Sequence, residues 1–169
     1  FKDAEILLEN GADGISFGFL NPDATINITH TKKMVELIHR YRKKAVFHRA
    51  FDCVSDPYVA IQQLIDCGVD RILTSGLQPT ALQGCELLNN LQFKFGERVE
   101  ILAGSGINVD NIETVRERTG IHQFHGSCKI WKKDPTTTLG NISYAYHEKD
   151  DYDCVSTEIV RQIVQLLKR

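Results

Sequence analysis

The sequence predicts an α/β fold built on a parallel sheet. Three observations carry that expectation. Short apolar runs ending in Gly or Ser recur along the chain, as in GADGISFG (11–18), GVDRILTSG (68–76), RVEILAGSG (98–106) and GIHQFHGS (120–127). KKAVFHRAFD (43–52) fills the same slot with a different ending. The runs are near-continuous rather than alternating, as expected when both faces of a parallel sheet are covered. Helix-like stretches separate them, and strand ends recur roughly every 22 to 30 residues, the length of one strand, one helix and two short loops.

Each element has its own punctuation. The chain opens FKDAEILLENGADG, where Ala4, Ile6 and Leu7 already follow helical spacing with no N-cap before them. That start reads as a helix cut open, so the chain is expected to be a piece of a longer protein. A helix is expected from about Thr29 to Tyr41. Asp56-Pro57 supplies an N-cap and a first-turn proline for the next, with Val59, Ala60, Leu64 and Ile65 as its stripe and Gly68 as a left-handed stop. Another is expected from Pro79 to about Leu91. Asn108 is expected to cap a helix with Val109, Ile112 and Val115 on one face, ending at Gly120. The last is expected from about Asp153 to Leu167, with Cys154 opening it. Residues 128–152 lack periodicity and read as a long loop, a surface excursion that Trp131 and Tyr144 would pack down.

Strict alternation of five βα units leaves a doubly wound open sheet or a (β/α)8 barrel. A dinucleotide fold would carry G-x-G-x-x-G opening an early helix, whereas Gly104-Ser105-Gly106 lies late and has Val109 where the third glycine belongs. A TIM (β/α)8 barrel, present as its last five βα units in one partial domain over residues 1–169, is the better reading.

Composition narrows the functions. The 169 residues are 42% hydrophobic and 25% charged, with a net charge of −2, too neutral to argue for nucleic acid or a membrane surface. No run approaches the ~20 apolar residues of a membrane span. Five cysteines, widely spaced and without a C-x-x-C pair, point to a reducing cytoplasm rather than disulfides or a zinc cluster. Cys67 and Cys85 read as core fillers in helices.

In such barrels the loops after the strands build the active face. The strand ends bring His48, Arg49 and Asp52; Thr74, Ser75 and Gly76; Gly104, Ser105 and Gly106; and His125 and Ser127 to one rim. Strand period places Gln123 and His125 on one face and His122 and Phe124 on the other, so His48 and His125 form the expected inward pair. Each histidine reads equally as a core imidazole bonded to a backbone carbonyl. Arg49 and Asp52 form either a functional charge pair or, the favoured reading, an ion pair fixing the loop. The Gly104–Gly106 turn either holds an anion at a helix start or is a tight turn needing glycine. Cys53 and Cys128 lie shortly after the rim histidines, and thiolate with imidazole suits Cu(I); no spacing here is a metal signature.

GADGISFGFL, FHRAFD followed by DP, GVDRILTSG, ILAGSGI and FHGS together resemble the copper homeostasis protein CutC family, from residue 11 to about 128. The resemblance implies a TIM barrel and a cytoplasmic protein associated with copper handling; the soft donors at the rim make His48, His125 and Cys128 the candidate metal ligands. The rim residues Arg49, Asp52, Thr74, Ser75, Gly76, Gly104, Ser105, Gly106 and Ser127 would line a ligand or anion site. The resemblance also implies cysteines near the ends of two earlier strands absent from this chain. Ser105 stands where glycine is common, and the region after Cys128 follows the family loosely. Two functions follow. The first is a non-catalytic Cu(I)-binding protein. The second is a barrel enzyme for a small anionic or phosphorylated metabolite, with His48 or His125 as general acid or base. The expected partners are copper, a small anion and, for the full-length chain, further copies of itself.

Overall fold

The computed structural model describes residues 1–145 and 151–168. Helix α1 (Lys2–Glu9) leads into strand β1 (Gly14–Phe17), and α2 (Ile28–Arg40) is capped by the Asn27 side chain, which accepts from the His30 N–H. Strand β2 (Lys44–Phe47) ends in a 3₁₀ turn over Arg49–Cys53. Then follow α3 (Pro57–Asp66), β3 (Arg71–Thr74), α4 (Cys85–Phe95), β4 (Glu100–Gly104), α5 (Ile112–Thr119) and β5 (Gln123–His125). The Asp56 carboxylate caps α3 by accepting from the Tyr58 and Val59 N–H groups, and Gly68 follows that helix at φ +84°.

Strands β1 to β5 pair in parallel and in chain order. This is the βα alternation expected of a barrel, here as an open five-stranded arc with helices packed on it. One face is a continuous apolar layer. Ile15, Phe17, Ala45, Phe47, Ile72, Ile101 and Ala103 belong to one buried cluster with Ile38, Ile61, Leu64, Leu88, Leu91, Ile112 and Val115 of the helices. Burying each large aliphatic or aromatic side chain contributes about 2 kcal/mol, so this layer sets the register of every strand. The residues between them, Ser16, Val46, Leu73, Leu102 and Gln123, are exposed or half-buried and form the second face. No helix among the described residues is long and apolar enough to cross a membrane.

Four expectations shift. Helix α4 begins at Cys85 rather than Pro79, because residues 76–84 are drawn into a tight excursion. Gly76 and Leu77 both adopt positive φ, and the Ala81 N–H donates to the Ser105 carbonyl. Helix α5 begins at Ile112, since the Asn108 side chain is taken up by a turn, accepting from the Asp110 and Asn111 N–H groups. Residues 128–152 are not one loop. Strands β6 (Lys129–Lys133), β7 (Thr138–Leu139) and β8 (Ile142–Ser143) lie within the segment, and β9 (Asp151–Val155) begins in it. β6 pairs antiparallel with β9, and β7 with β8. That part of the expected loop from 146 to 150 lies outside the described residues. Trp131 and Tyr144 do not bury it, for both are exposed. The last helix, α6 (Thr157–Leu167), starts after Ser156, whose hydroxyl accepts from the Ile159 N–H. Cys154 therefore belongs to β9.

Close backbone approach explains one glycine in particular. A Cβ on Gly84 would fall far inside van der Waals contact with the Ser75 carbonyl oxygen. Gly84→Ala is expected to cost at least about 2 kcal/mol. Gly120→Ala, at φ +67° with nothing near its missing Cβ, should cost about 1 kcal/mol. Urea unfolding of the two variants measures the difference, and equal costs would contradict the packing argument.

Candidate functional site

Because the strands are parallel and neighbours in chain order, their C-terminal ends open on one rim. Gly18, the turn from His48 to Cys53, Thr74–Leu77, Gly104–Gly106 and His125–Cys128 lie at or just beyond those ends. His48 lies two residues beyond Val46, and His125 two beyond Gln123, so both fall on the second face. The His48 ring rests on Gly18, where a Cβ would come within 2.5 Å of Cε1. Leu73 and His125 close on Gly104 in the same way. Two glycines therefore let these side chains lie flat across the rim.

The two histidines nevertheless stay apart. Strands β3 and β4 stand between β2 and β5, which at ~4.8 Å per strand is roughly 14 Å along the sheet. Two ligands of one ion lie within about 4 Å of each other, each about 2 Å from the metal. His48 and His125 cannot share an ion in this arrangement. Among the described residues no three His, Cys, Asp or Glu side chains come together as a metal site. His125 and Cys128 remain as two donors on one short turn, Cys128 half-buried at φ +50°.

Asp52 is the hub of the rim. Its Oδ1 accepts from the Thr74 hydroxyl (2.6 Å), the Ser75 N–H (3.0 Å) and the Leu77 N–H (3.2 Å). Its Oδ2 accepts from Arg49 Nε (2.7 Å) and lies 2.9 Å from the Ser75 hydroxyl. That hydroxyl has one proton to share between Asp52 and the Gln78 carbonyl, and it accepts from Arg49 Nη2 at 3.0 Å. Thr74 Oγ1 in turn accepts from the Gly76 N–H. Burial raises the Asp52 carboxyl, but the Thr74 hydroxyl, Arg49 and the two groups of Ser75 outweigh it and hold it below the ordinary carboxylate value. A carboxylate so fully supplied with donors is a clasp between the β2 and β3 turns and a poor proton acceptor. Thr74 and Ser75 are buried and occupied by the same network. Arg49 differs, since its side chain stays 43% exposed while Nε is pinned.

The Gly104–Gly106 turn is tied down rather than open above a helix. Ser105 holds φ +78°, its hydroxyl donates to the Pro79 carbonyl at 2.7 Å, and the Gly106 carbonyl accepts from Asn111 Nδ2. With α5 starting at Ile112, the turn does not head a helix. Ser127 is exposed beside Cys128.

Sequence reasoning missed a polar row across the second face. Arg71 donates through Nε to Glu100 (2.7 Å), and Gln123 Nε2 donates to the same oxygen at 3.1 Å. Burial raises the Glu100 carboxyl, and Arg71 and Gln123 more than reverse it. The signal was present: Arg71 and Glu100 open otherwise apolar strands, and their registers align.

Asp52→Asn is expected to lower stability by about 2 kcal/mol at neutral pH, the scale of hydrogen bonds lost from a charged group. Because the folded-state value is depressed, the contribution of Asp52 is complete above the unfolded-state value of about 3.9 and fades as pH falls through the folded one. Urea unfolding of both proteins across pH should show a constant gap at higher pH that narrows in acid. A gap independent of pH would rule out the clasp.

Comparison with known proteins agrees with this architecture. Residues 1–130 match the CutC family. A CutC family protein of Treponema denticola is 33% identical over 170 residues, covering 98% of this chain and 68% of that protein. One from Bacteroides fragilis is 41% identical over 156 residues, covering 88% of this chain and 61% of its own length. The chain thus spans roughly two thirds of these relatives. The crystal structure named as the copper homeostasis protein CutC of Streptococcus agalactiae superposes with a TM-score of 0.69 at 26% identity, over 75% of this chain and 61% of that one. With its ordered parallel arc, its single rim and these matches, the chain belongs to the CutC family.

Proposed function

We propose that the whole protein serves copper homeostasis in the cytoplasm by binding Cu(I), without catalysing a reaction. The observation that carries this reading is membership of the CutC family, whose solved member from Streptococcus agalactiae is named for copper homeostasis. Five free cysteines are consistent with a reducing compartment. The described residues do not fit a complete copper site. They contribute His125 and Cys128, an imidazole and a thiol of the soft character that Cu(I) prefers, and further ligands must come from elsewhere in the whole protein. Among the described residues no strand pairs with the outer edges of β1 and β5, which supports self-association or closure by further strands.

Anaerobic titration of the whole protein with Cu(I) against a competing chelator tests this. A stoichiometric complex is expected, weakened about tenfold or more by Cys128→Ser if that thiolate is a ligand. Failure to compete removes the copper role.

A second reading rests on Arg49. Its guanidinium is oriented by Asp52 and Ser75 yet remains partly open at the rim. A planar fork held in place without a ligand suits the capture of a small carboxylate or phosphate. Isothermal titration with inorganic phosphate should show binding that Arg49→Gln weakens about tenfold, the scale of a charge-assisted hydrogen bond. Equal binding by both proteins would remove Arg49 from the site.

A further inference from the structure

We infer that His48 presents an Nε2–H donor to an anionic oxygen at the rim, and that it does not ligate copper. The inference deepens the anion reading above and rests on it for the ligand, but its first premise is independent. The Ala50 backbone N–H donates to His48 Nδ1 at 3.1 Å. A backbone N–H can only donate, so Nδ1 carries no proton. The neutral ring then holds its proton on Nε2. Metal ligation through Nε2 needs the opposite tautomer, with Nδ1–H donating to an acceptor. In this turn Nδ1 faces a donor instead.

Surrounding contacts hold that orientation. The Nδ1–Cε1 edge of the ring lies against Gly18, where a Cβ would meet Cε1 at 2.5 Å and Nδ1 at 2.7 Å. The ring also leans on Phe47, centroid to centroid 6.2 Å at 54°. His48 is half-buried on the second face, and among the described residues no group takes up Nε2. The remaining polar atom of the ring is therefore a donor, on a side chain that stands at the rim. It sits on one side of the β2 end, where β1 lies, and Arg49 reaches to the other, toward Ser75 beyond β3. Adjacent residues thus place a donor on each side of the β2 end, and the chemistry that answers each is a carboxylate or a phosphate.

Nitrogen-15 NMR of the histidine side chains in the whole protein tests the inference, with inorganic phosphate, acetate and Cu(I) as separate probes. The expected His48 signature is a pyridine-type Nδ1 and a pyrrole-type Nε2. Phosphate or acetate should shift Nε2, and which one does so assigns the anion class. One equivalent of Cu(I) should leave both nitrogens unmoved. An Nδ1–H tautomer or a Cu(I)-induced shift at Nε2 overturns the inference. If an anion moves the Arg49 Nε–H signal but leaves His48 untouched, the anion reading stands and the donor role falls. Silence at both residues removes the anion reading, and the donor role with it. Two variants add an independent arm. In His48→Asn the side-chain oxygen can still accept from Ala50 while the Nε2 donor is gone, so unfolding should stay near wild type and phosphate affinity should drop about tenfold. Unchanged phosphate affinity in that variant also overturns the inference.

Discussion

A carboxylate buried at the rim must find donors, and Asp52 finds them on two turns at once. Its oxygens are met by Arg49 within its own turn and by Thr74, Ser75 and Leu77 from the turn after β3. An unpaired buried carboxylate would be costly, so the two turns are obliged to keep one relative position. The consequences run outward. Gly76 and Leu77 take left-handed conformations to aim their amides. The chain then doubles back until Gly84 lies against Ser75, and α4 starts late. Arg49, held at Nε, presents the rest of its fork to the rim.

The same constraint separates architectural from available residues. Thr74, Ser75 and Asp52 are conspicuous polar residues, and all are occupied by one another. Available groups are those the clasp leaves over: the outer part of Arg49, the Nε2 edge of His48, and His125 with Cys128 on the last turn. They differ in chemical character along the arc. Near β2 the groups are a guanidinium and an imidazole, and beyond β5 an imidazole and a thiol. Two glycines, Gly18 and Gly104, make room for this arrangement by omitting side chains where His48, Leu73 and His125 cross. The polar row of Arg71, Glu100 and Gln123 lies deeper on the same face and stitches β3, β4 and β5 together.

Legibility in the sequence followed the range of the interactions involved. The α3 cap at Asp56, the proline after it and the stop at Gly68 act over a few residues and were readable directly. So was the Arg49–Asp52 ion pair, three residues apart, which forms at 2.7 Å. The start of α4 was not readable, because Pro79 and Ala81 are held by hydrogen bonds to the β4 turn rather than by their own propensity. Nor was the β6–β9 ribbon, whose outermost partners, Lys129 and Val155, lie far apart in a polar stretch of sequence. The tautomer of His48 was likewise invisible, since it depends on where the Ala50 amide points.

By itself, then, the sequence determined the alternating units, the parallel arc and the gathering of the strand ends on one rim, because periodicity and local punctuation are written residue by residue. Tertiary structure alone decided which rim residues remain available. Eleven polar or glycine positions look equivalent in one dimension, but hydrogen bonds between turns far apart in the chain occupy Asp52, Thr74 and Ser75. Strand spacing did the rest: two imidazoles that share a face are still separated by two intervening strands, and no local pattern encodes that distance.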